Sequence, residues 1–199
     1  MKSIFVRHGK DDERYRGGWS SLDLIEQGRI QAERLAEYLF SNRKTLDVRR
    51  IISSDLSRTL STAKYLSDKL EIAVEPEPKL REMNNGDLAG MLHTEALAKY
   101  PGVFYNTLSM EEHYPNGESP LEFYDRISRW FFDFLRICDE SQGNMIVVTH
   151  GGVINIIYHL VRKIDWTNKS KPYKASNCSL HILDTQAMDF ELENFVPFD

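Results

Sequence analysis

The chain has 199 residues, of which 41% are hydrophobic and 28% charged, with a formal net charge of −5. That length suits one domain with a buried core, and the composition is ordinary for a soluble globular protein. The acidic balance argues against a nucleic-acid partner, which would need a basic face. A small anionic ligand fits better, because Arg7, Lys10, Arg14 and Arg16 cluster locally.

Two cysteines, Cys138 and Cys178, are too few for a disulfide framework. Cys138 falls in an amphipathic helical pattern and reads as a small core residue. The opening apolar run is Ile4 to Val6 and is cut by Arg7, so no signal peptide is expected. No stretch approaches the ~20 apolar residues of a membrane span. A reduced, cytoplasmic location without membrane partners is the expectation.

In chain order, Ile4, Phe5 and Val6 read as a buried strand that ends abruptly in Arg7, His8 and Gly9. Strand ends of this kind are where open α/β sheets place ligands, and Gly9 permits a sharp turn or a close backbone approach. A polar, glycine-punctuated loop follows. Gly28 to about Asn42 carries a helical stripe of Ile30, Leu35, Leu39 and Phe40. Arg50 to Ser54 is a short strand, and Ser54 or Asp55 is positioned to cap a helix running to about Leu70. Ile72 to Val74 predicts a strand ended by Pro76 and Pro78.

From Lys79 to Pro120 the periodicity weakens, with one short helix near Thr94 to Lys99. Long loops of this kind often form lids, and residues 84–120 are expected to form one over a single domain spanning 1–199. Leu121 to about Cys138 is a strong helix with Phe123, Ile127, Phe131, Phe134 and Leu135 on one face. Met145 to Val148 is a second buried strand, ending in Thr149, His150, Gly151 and Gly152, and a helix follows from about Val153 to Val161. Ser179 to Leu183 and Asp189 to Asn194 suit two closing antiparallel strands. The alternation predicts an α/β three-layer sandwich with a mixed, mostly parallel central sheet flanked by helices.

Two strands end alike, in Val-Arg-His-Gly and Val-Thr-His-Gly-Gly, and a third delivers Arg58 one turn into its following helix. If the three are neighbours, His8, His150, Arg7 and Arg58 converge at one sheet edge. Two guanidiniums suit the oxygens of a phosphoryl group, and a neutral imidazole can attack phosphorus.

With these residues in view, the sequence resembles the histidine phosphatase superfamily, also called phosphoglycerate-mutase-like. Its Arg-His-Gly signature matches Arg7-His8-Gly9. Its Ser-Asp-Leu-x-Arg-Thr matches Ser54 to Thr59, and its Glu motif matches Leu80, Glu82, Gly86 and Gly90. Its second histidine motif matches Thr149 to Gly152. The resemblance covers nearly the whole chain, with the motifs in order.

Carried over residue by residue, the resemblance implies that His8 is transiently phosphorylated. Arg7, Arg58 and His150 hold the phosphate, with Gly151 beside them. Glu82 protonates the leaving oxygen and later serves as base for water. Neither metal nor cofactor is implied, and the partner is a small phosphomonoester. The chain departs from the family where an Asn usually contacts phosphate: Lys10 and Arg14 fall there, and Arg14 is the stand-in expected at that role.

His159 and His181 read as structural histidines, and Lys169 to Lys174 as a solvated basic stretch. His93 and His113 carry no assigned role. Trp19, Tyr105 and Tyr114 are open between lining the pocket and packing. The reading is a cofactor-independent phosphoric monoester hydrolase of the histidine acid type. A family mutase and a non-catalytic phospho-ligand-binding module are the rivals. The short span from Glu82 to His150 favours hydrolysis by analogy with family mutases, which carry a longer insertion there. The natural substrate is not readable, and a homodimer is one assembly the sequence leaves open.

Overall fold

The structure, a computed structural model, describes residues 1–138 and 143–198. Its central sheet forms from Lys2–Arg7 (β1), Val48–Ser53 (β2), Val74–Pro76 (β3), Asn144–Thr149 (β4), Leu180–Asp184 (β5) and Asp189–Phe195 (β6). The strand order is β3-β2-β4-β1-β5-β6. The first four of these are mutually parallel, whereas β5 runs antiparallel to β1 and β6 antiparallel to β5. The sheet is therefore mixed and mostly parallel, as the alternation of apolar runs and helical stripes predicts.

The helices are Glu26–Ser41 (α1), Arg43–Leu46 (α2), Ser57–Leu70 (α3), His93–Lys99 (α4), Pro120–Ile137 (α5) and Gly151–Arg162 (α6). Successive strand residues feed opposite faces of the sheet, which is the period-2 consequence of pleating. Ile4, Val6, Ile51, Ile146 and Val148 pack with Leu35, Leu39 and Leu66 of α1 and α3. Phe5, Ile52, Met145 and Val147 pack with Phe123, Phe131 and Ile156 of α5 and α6. Two apolar layers clothe one sheet, so β1 and β4 read as unbroken apolar runs.

Helix α5 starts where its sequence directs. Ser119 and Glu122 form a reciprocal capping box, and Pro120 occupies the first turn, where its missing N–H costs nothing. Its C-cap, Cys138, is half-buried against the core just beyond the helix.

Other boundaries differ from the sequence reading for local reasons. Neither Ser54 nor Asp55 caps α3, whose N-cap is Leu56 without a side-chain bond. Both side chains are engaged elsewhere, Ser54 with His150 and Asp55 with Arg81. Strand β3 begins at Val74 rather than Ile72 and includes Pro76, which an edge strand tolerates. In α1, Ile30 is exposed, and the buried face is carried by Gly28, Ala32, Leu35, Ala36 and Leu39. Small residues there let α1 approach closely.

Register sets the site. Arg7 pairs with Thr149 across β1 and β4, while Ser53 of β2 pairs with Val148. The residues just past these pairs, His8, His150 and Ser54, therefore emerge side by side at the carboxyl edge of the parallel strands.

Candidate active site

His8 is buried, and its backbone N–H still bonds the Thr149 carbonyl at 3.0 Å. The following Gly9 lies against Gly28: a Cβ on Gly9 would come within 2.5 Å of the Gly28 carbonyl oxygen, so close backbone approach is what this glycine supplies. The His8 Nδ1 lies 2.7 Å from the Gly9 carbonyl oxygen. A carbonyl only accepts, so Nδ1 carries the hydrogen and Nε2 keeps its lone pair. Burial holds the His8 pKa well below the ordinary 6.5, and the charges of Arg58 and Arg7 press in the same direction. The imidazole is thus neutral with Nε2 free, which is what a nucleophile requires.

His150 takes the opposite tautomer. Arg58 Nη2 donates towards its Nδ1 at 3.2 Å, so Nε2–H donates to Ser54 Oγ at 2.9 Å. Burial, then Arg58, His8 and Arg7, lowers its pKa well below the usual histidine value. The two imidazole rings sit 5.2 Å apart between centroids.

Arg58 is 2% exposed, yet its Nη1 has no partner among the described residues. Its Nη2 also donates to the Gly18 carbonyl at 2.8 Å, and Asp11 Oδ2 faces its Nε at 3.6 Å. Arg7 bonds the Ala175 carbonyl through Nη1 at 2.7 Å, while its Nε is likewise buried without a partner. Buried guanidinium N–H groups left unpaired are costly. Two of them beside a neutral nucleophile make a seat for an oxyanion.

Glu82 is brought to the same place by several tethers. Its Oε2 accepts from the Gly152 amide at 2.9 Å and its Oε1 from the Met83 amide at 3.1 Å. Its carbonyl accepts from Trp19 Nε1 at 2.7 Å and from Arg126 Nη2 at 3.2 Å. Arg126 forks onto Glu118 at 2.8 Å through both Nε and Nη2, and reaches the Lys79 and Arg81 carbonyls through Nη1. Thr149 Oγ1 donates to the Leu80 carbonyl, tying this segment to β4.

A cleft of about 270 Å³ opens above these groups. Arg7, His8, Glu82, Gly151 and Gly152 line it together with Asn155, Lys171, Tyr173 and Lys174. A groove of about 230 Å³ at the β3 edge, between Arg50, Trp130 and Ile137, has no histidine, and its Arg50 is already forked onto Glu75. The chemistry belongs to the first.

The sequence profile of the histidine phosphatase superfamily (branch 1) matches residues 3–196. The chain belongs to this superfamily. It is 33% identical over 167 residues to phosphoglycerate mutase-like protein 4 of Arabidopsis thaliana, covering 80% of this chain and 70% of that one. It is 31% identical over 189 residues to phosphoserine phosphatase 1 of Hydrogenobacter thermophilus, covering 92% and 86%. A solved mycobacterial glucosyl-3-phosphoglycerate phosphatase in complex with inorganic phosphate superposes with a TM-score of 0.76 at 25% identity, covering 98% and 97%.

In this histidine phosphatase fold, the structure brings together Arg7, His8, Arg58, Glu82, His150 and Gly151. It does not bring Arg14 to them. The Arg14 side chain is 77% exposed, forks onto Asp12 at 2.5–3.1 Å and does not line the cleft. Asp11, not Arg14, is the loop residue that meets Arg58. Lys171 and Lys174, read in the sequence as part of a solvated stretch, line the cleft. Trp19 resolves as a support for Glu82, with Arg81 stacked 4.6 Å over its ring. Tyr114 is buried, and burial pushes its hydroxyl up to about 12. Tyr105 is raised further still by burial, with Glu82 adding to it. His159 and His181 are buried, His159 bonded through Nδ1 to the Asn155 carbonyl and His181 between Tyr158 and Ser179. His113 is an exposed partner of Glu122 at 3.0 Å.

Proposed function

We propose that the chain is a phosphomonoesterase that works on a small phosphorylated metabolite through a phosphohistidine on His8, with no cofactor. The observation that carries this is the juxtaposition of a free His8 Nε2 with the unpartnered guanidinium N–H groups of Arg7 and Arg58. In the first step His8 Nε2 attacks phosphorus, the bond from phosphorus to the ester oxygen breaks, and protonated Glu82 gives its proton to that oxygen. In the second, the Glu82 carboxylate takes a proton from water as the water oxygen attacks phosphorus. Inorganic phosphate leaves, and His8 returns to its neutral form.

Arg7 and Arg58 offset the charge on the transferring group throughout. The amino end of α6, at Gly151, adds a partial positive charge. His150 acts beside them by holding Arg58: its Nε2–H is fixed on Ser54 and its Nδ1 accepts from the guanidinium that binds the phosphoryl oxygens. The relatives named as phosphatases support hydrolysis over return of the phosphoryl group to a second hydroxyl.

The test is phosphate release from a panel of phosphomonoesters in EDTA, run beside a 2,3-bisphosphoglycerate-dependent mutase assay. Release that EDTA leaves intact is the expected result. Isomerisation without net phosphate release would instead make the chain a mutase, and silence in both assays would favour a binding module.

A further inference from the structure

The loop that carries the nucleophile is pinned one peptide plane at a time. The peptide between His8 and Gly9 is held at both ends: Asn177 Nδ2 donates to its carbonyl at 3.2 Å, and its N–H donates to Thr62 Oγ1 at 3.0 Å. The Ile25 amide donates to the Lys10 carbonyl at 3.0 Å and so holds the peptide after Lys10. Between them lies the Gly9–Lys10 peptide. Its carbonyl accepts from His8 Nδ1 at 2.7 Å, and its N–H donates to Gln31 Oε1 at 2.9 Å.

Glycine makes this middle plane the loose one. Without a Cβ, Gly9 permits wide rotation about its own φ and ψ, so the pins on the preceding peptide do not carry through it. A trans peptide is planar with its N–H and C=O opposed, so a grip on the Lys10 N–H sets the direction of the Gly9 carbonyl. Gln31 of α1 reaches that N–H because Gly28, three residues earlier on the same helix, lets α1 lie against the loop. A Cβ at Gly28 would come within 2.7 Å of the Lys10 nitrogen. The orientation of the Gln31 amide follows, since only its oxygen can accept.

We infer that Gln31 is a positioning residue for the nucleophile: by holding the Lys10 amide it aims the Gly9 carbonyl at His8 Nδ1 and so keeps the lone pair on Nε2. Which ring nitrogen of a neutral imidazole carries the hydrogen is set by the bond that the other makes. With the Gly9 carbonyl turned away, nothing would hold the hydrogen on Nδ1, and a hydrogen on Nε2 blocks the lone pair that attacks phosphorus. The kinetic consequence rests on the phosphomonoesterase reading; the tautomer does not.

The experiment reads the ring nitrogens of His8 by heteronuclear NMR on histidine-labelled protein, its signals being those lost in His8→Asn. Wild type should carry hydrogen on Nδ1 and a lone pair on Nε2. The Nε2–H form there would overturn the inference without any variant. Gln31→Met keeps the length of the side chain and removes the acceptor. Gln31→Glu keeps an acceptor, in a cavity that Arg7 and Lys174 also line. In Gln31→Met the Nε2–H form should appear, and kcat for p-nitrophenyl phosphate should fall about tenfold, the scale of one hydrogen bond, with KM little changed. Gln31→Glu should restore the wild-type tautomer and most of kcat. A wild-type tautomer in Gln31→Met would overturn the inference, as would a loss of kcat in Gln31→Glu equal to that in Gln31→Met. If wild type turns over no phosphomonoester, the functional reading fails, and the ring nitrogens still decide the role of Gln31.

Discussion

The carboxylate of Glu82 is seated on the backbone of Gly152: Oε2 accepts the Gly152 amide at 2.9 Å, and a Cβ at that position would lie 2.1 Å from Oε1. The second histidine motif therefore fixes both an imidazole and the carboxyl group opposite it. Gly152→Ala adds a methyl in the first turn of α6, where alanine favours helix by up to about 1 kcal/mol. The same methyl displaces the Glu82 carboxylate, which can swing aside. The expected result is a thermal stability equal to or above wild type with kcat lowered by about 100-fold, the scale of a 1 Å misplacement. Melting curves and steady-state kinetics on one preparation check both halves.

Arg126 acts at one remove. Its guanidinium bonds the carbonyls of Lys79, Arg81 and Glu82 and is itself fixed by Glu118. Both side chains are largely buried, at 18% and 16% exposure. Arg126→Ala leaves Glu118 and those carbonyls short of donors and should cost about 2–3 kcal/mol of stability, somewhat below the figure for a fully buried pair. Arg126→Lys supplies one point of donation instead of a fork, so it should recover part of the stability while kcat stays depressed. Urea unfolding and kcat measured on both variants test this.

How legible this was in the sequence varied with the kind of signal. Arg7-His8-Gly9 and Thr149-His150-Gly151-Gly152 stand at the ends of apolar runs, so pattern alone places them at a sheet edge, whereas the pairing of β1 with β4, on which their convergence depends, comes only with the strand order. Arg126 and Glu118 gave no such sign: one is a polar residue on the flank of a strong amphipathic helix, the other lies in the aperiodic stretch before it. Lys171 and Lys174 were hidden for a similar reason, since a loop has no period from which its facing side can be read. In the loop after Gly9, one or two residues of register decide whether Arg14 or Asp11 meets Arg58, and only the folded backbone settles that. The cap of α3 was missed because Ser54 and Asp55 are drawn off by His150 and Arg81, which are distant in sequence.

Asp11 makes its own prediction. Its carboxylate faces the Nε of a guanidinium that is 2% exposed, and so competes with a bound phosphate for the same cation. Asp11→Asn keeps the shape and removes the charge. Inorganic phosphate should then inhibit about three- to tenfold more tightly, because a unit charge at such a distance is worth on the order of a kcal/mol or more near a protein surface. An inhibition constant that is unchanged or weaker would show that Asp11 does not oppose the anion.

The histidines set the acid side of stability. His8 and His150 are held neutral chiefly by burial, with Arg58 next, and burial brings His181 down to about 4. Above about pH 6.5 these groups are neutral in both folded and unfolded chains, so they make no difference. Below it the unfolded chain takes up protons that the folded chain refuses, so stability falls as pH falls, by up to about 1.4 kcal/mol per unit per group. The loss stops for each group only once its own folded pKa is passed. Melting temperature should therefore drop between pH 7.5 and 5.5, a window above the range in which Asp55 and Glu75 titrate. A melting temperature that held level or rose across it would contradict the neutral assignment.

The central claim is that phosphoryl transfer passes through His8 Nε2. The most direct measurement is acid-free rapid quench of wild type and His8→Asn with a phosphomonoester, followed by mass spectrometry of the intact chain and its peptides. The account predicts an acid-labile, base-stable adduct of one phosphoryl group on the peptide containing His8, formed and lost at rates that match turnover and absent from the variant. Turnover in His8→Asn at the wild-type rate, or an adduct on another residue that keeps pace with turnover, would contradict it.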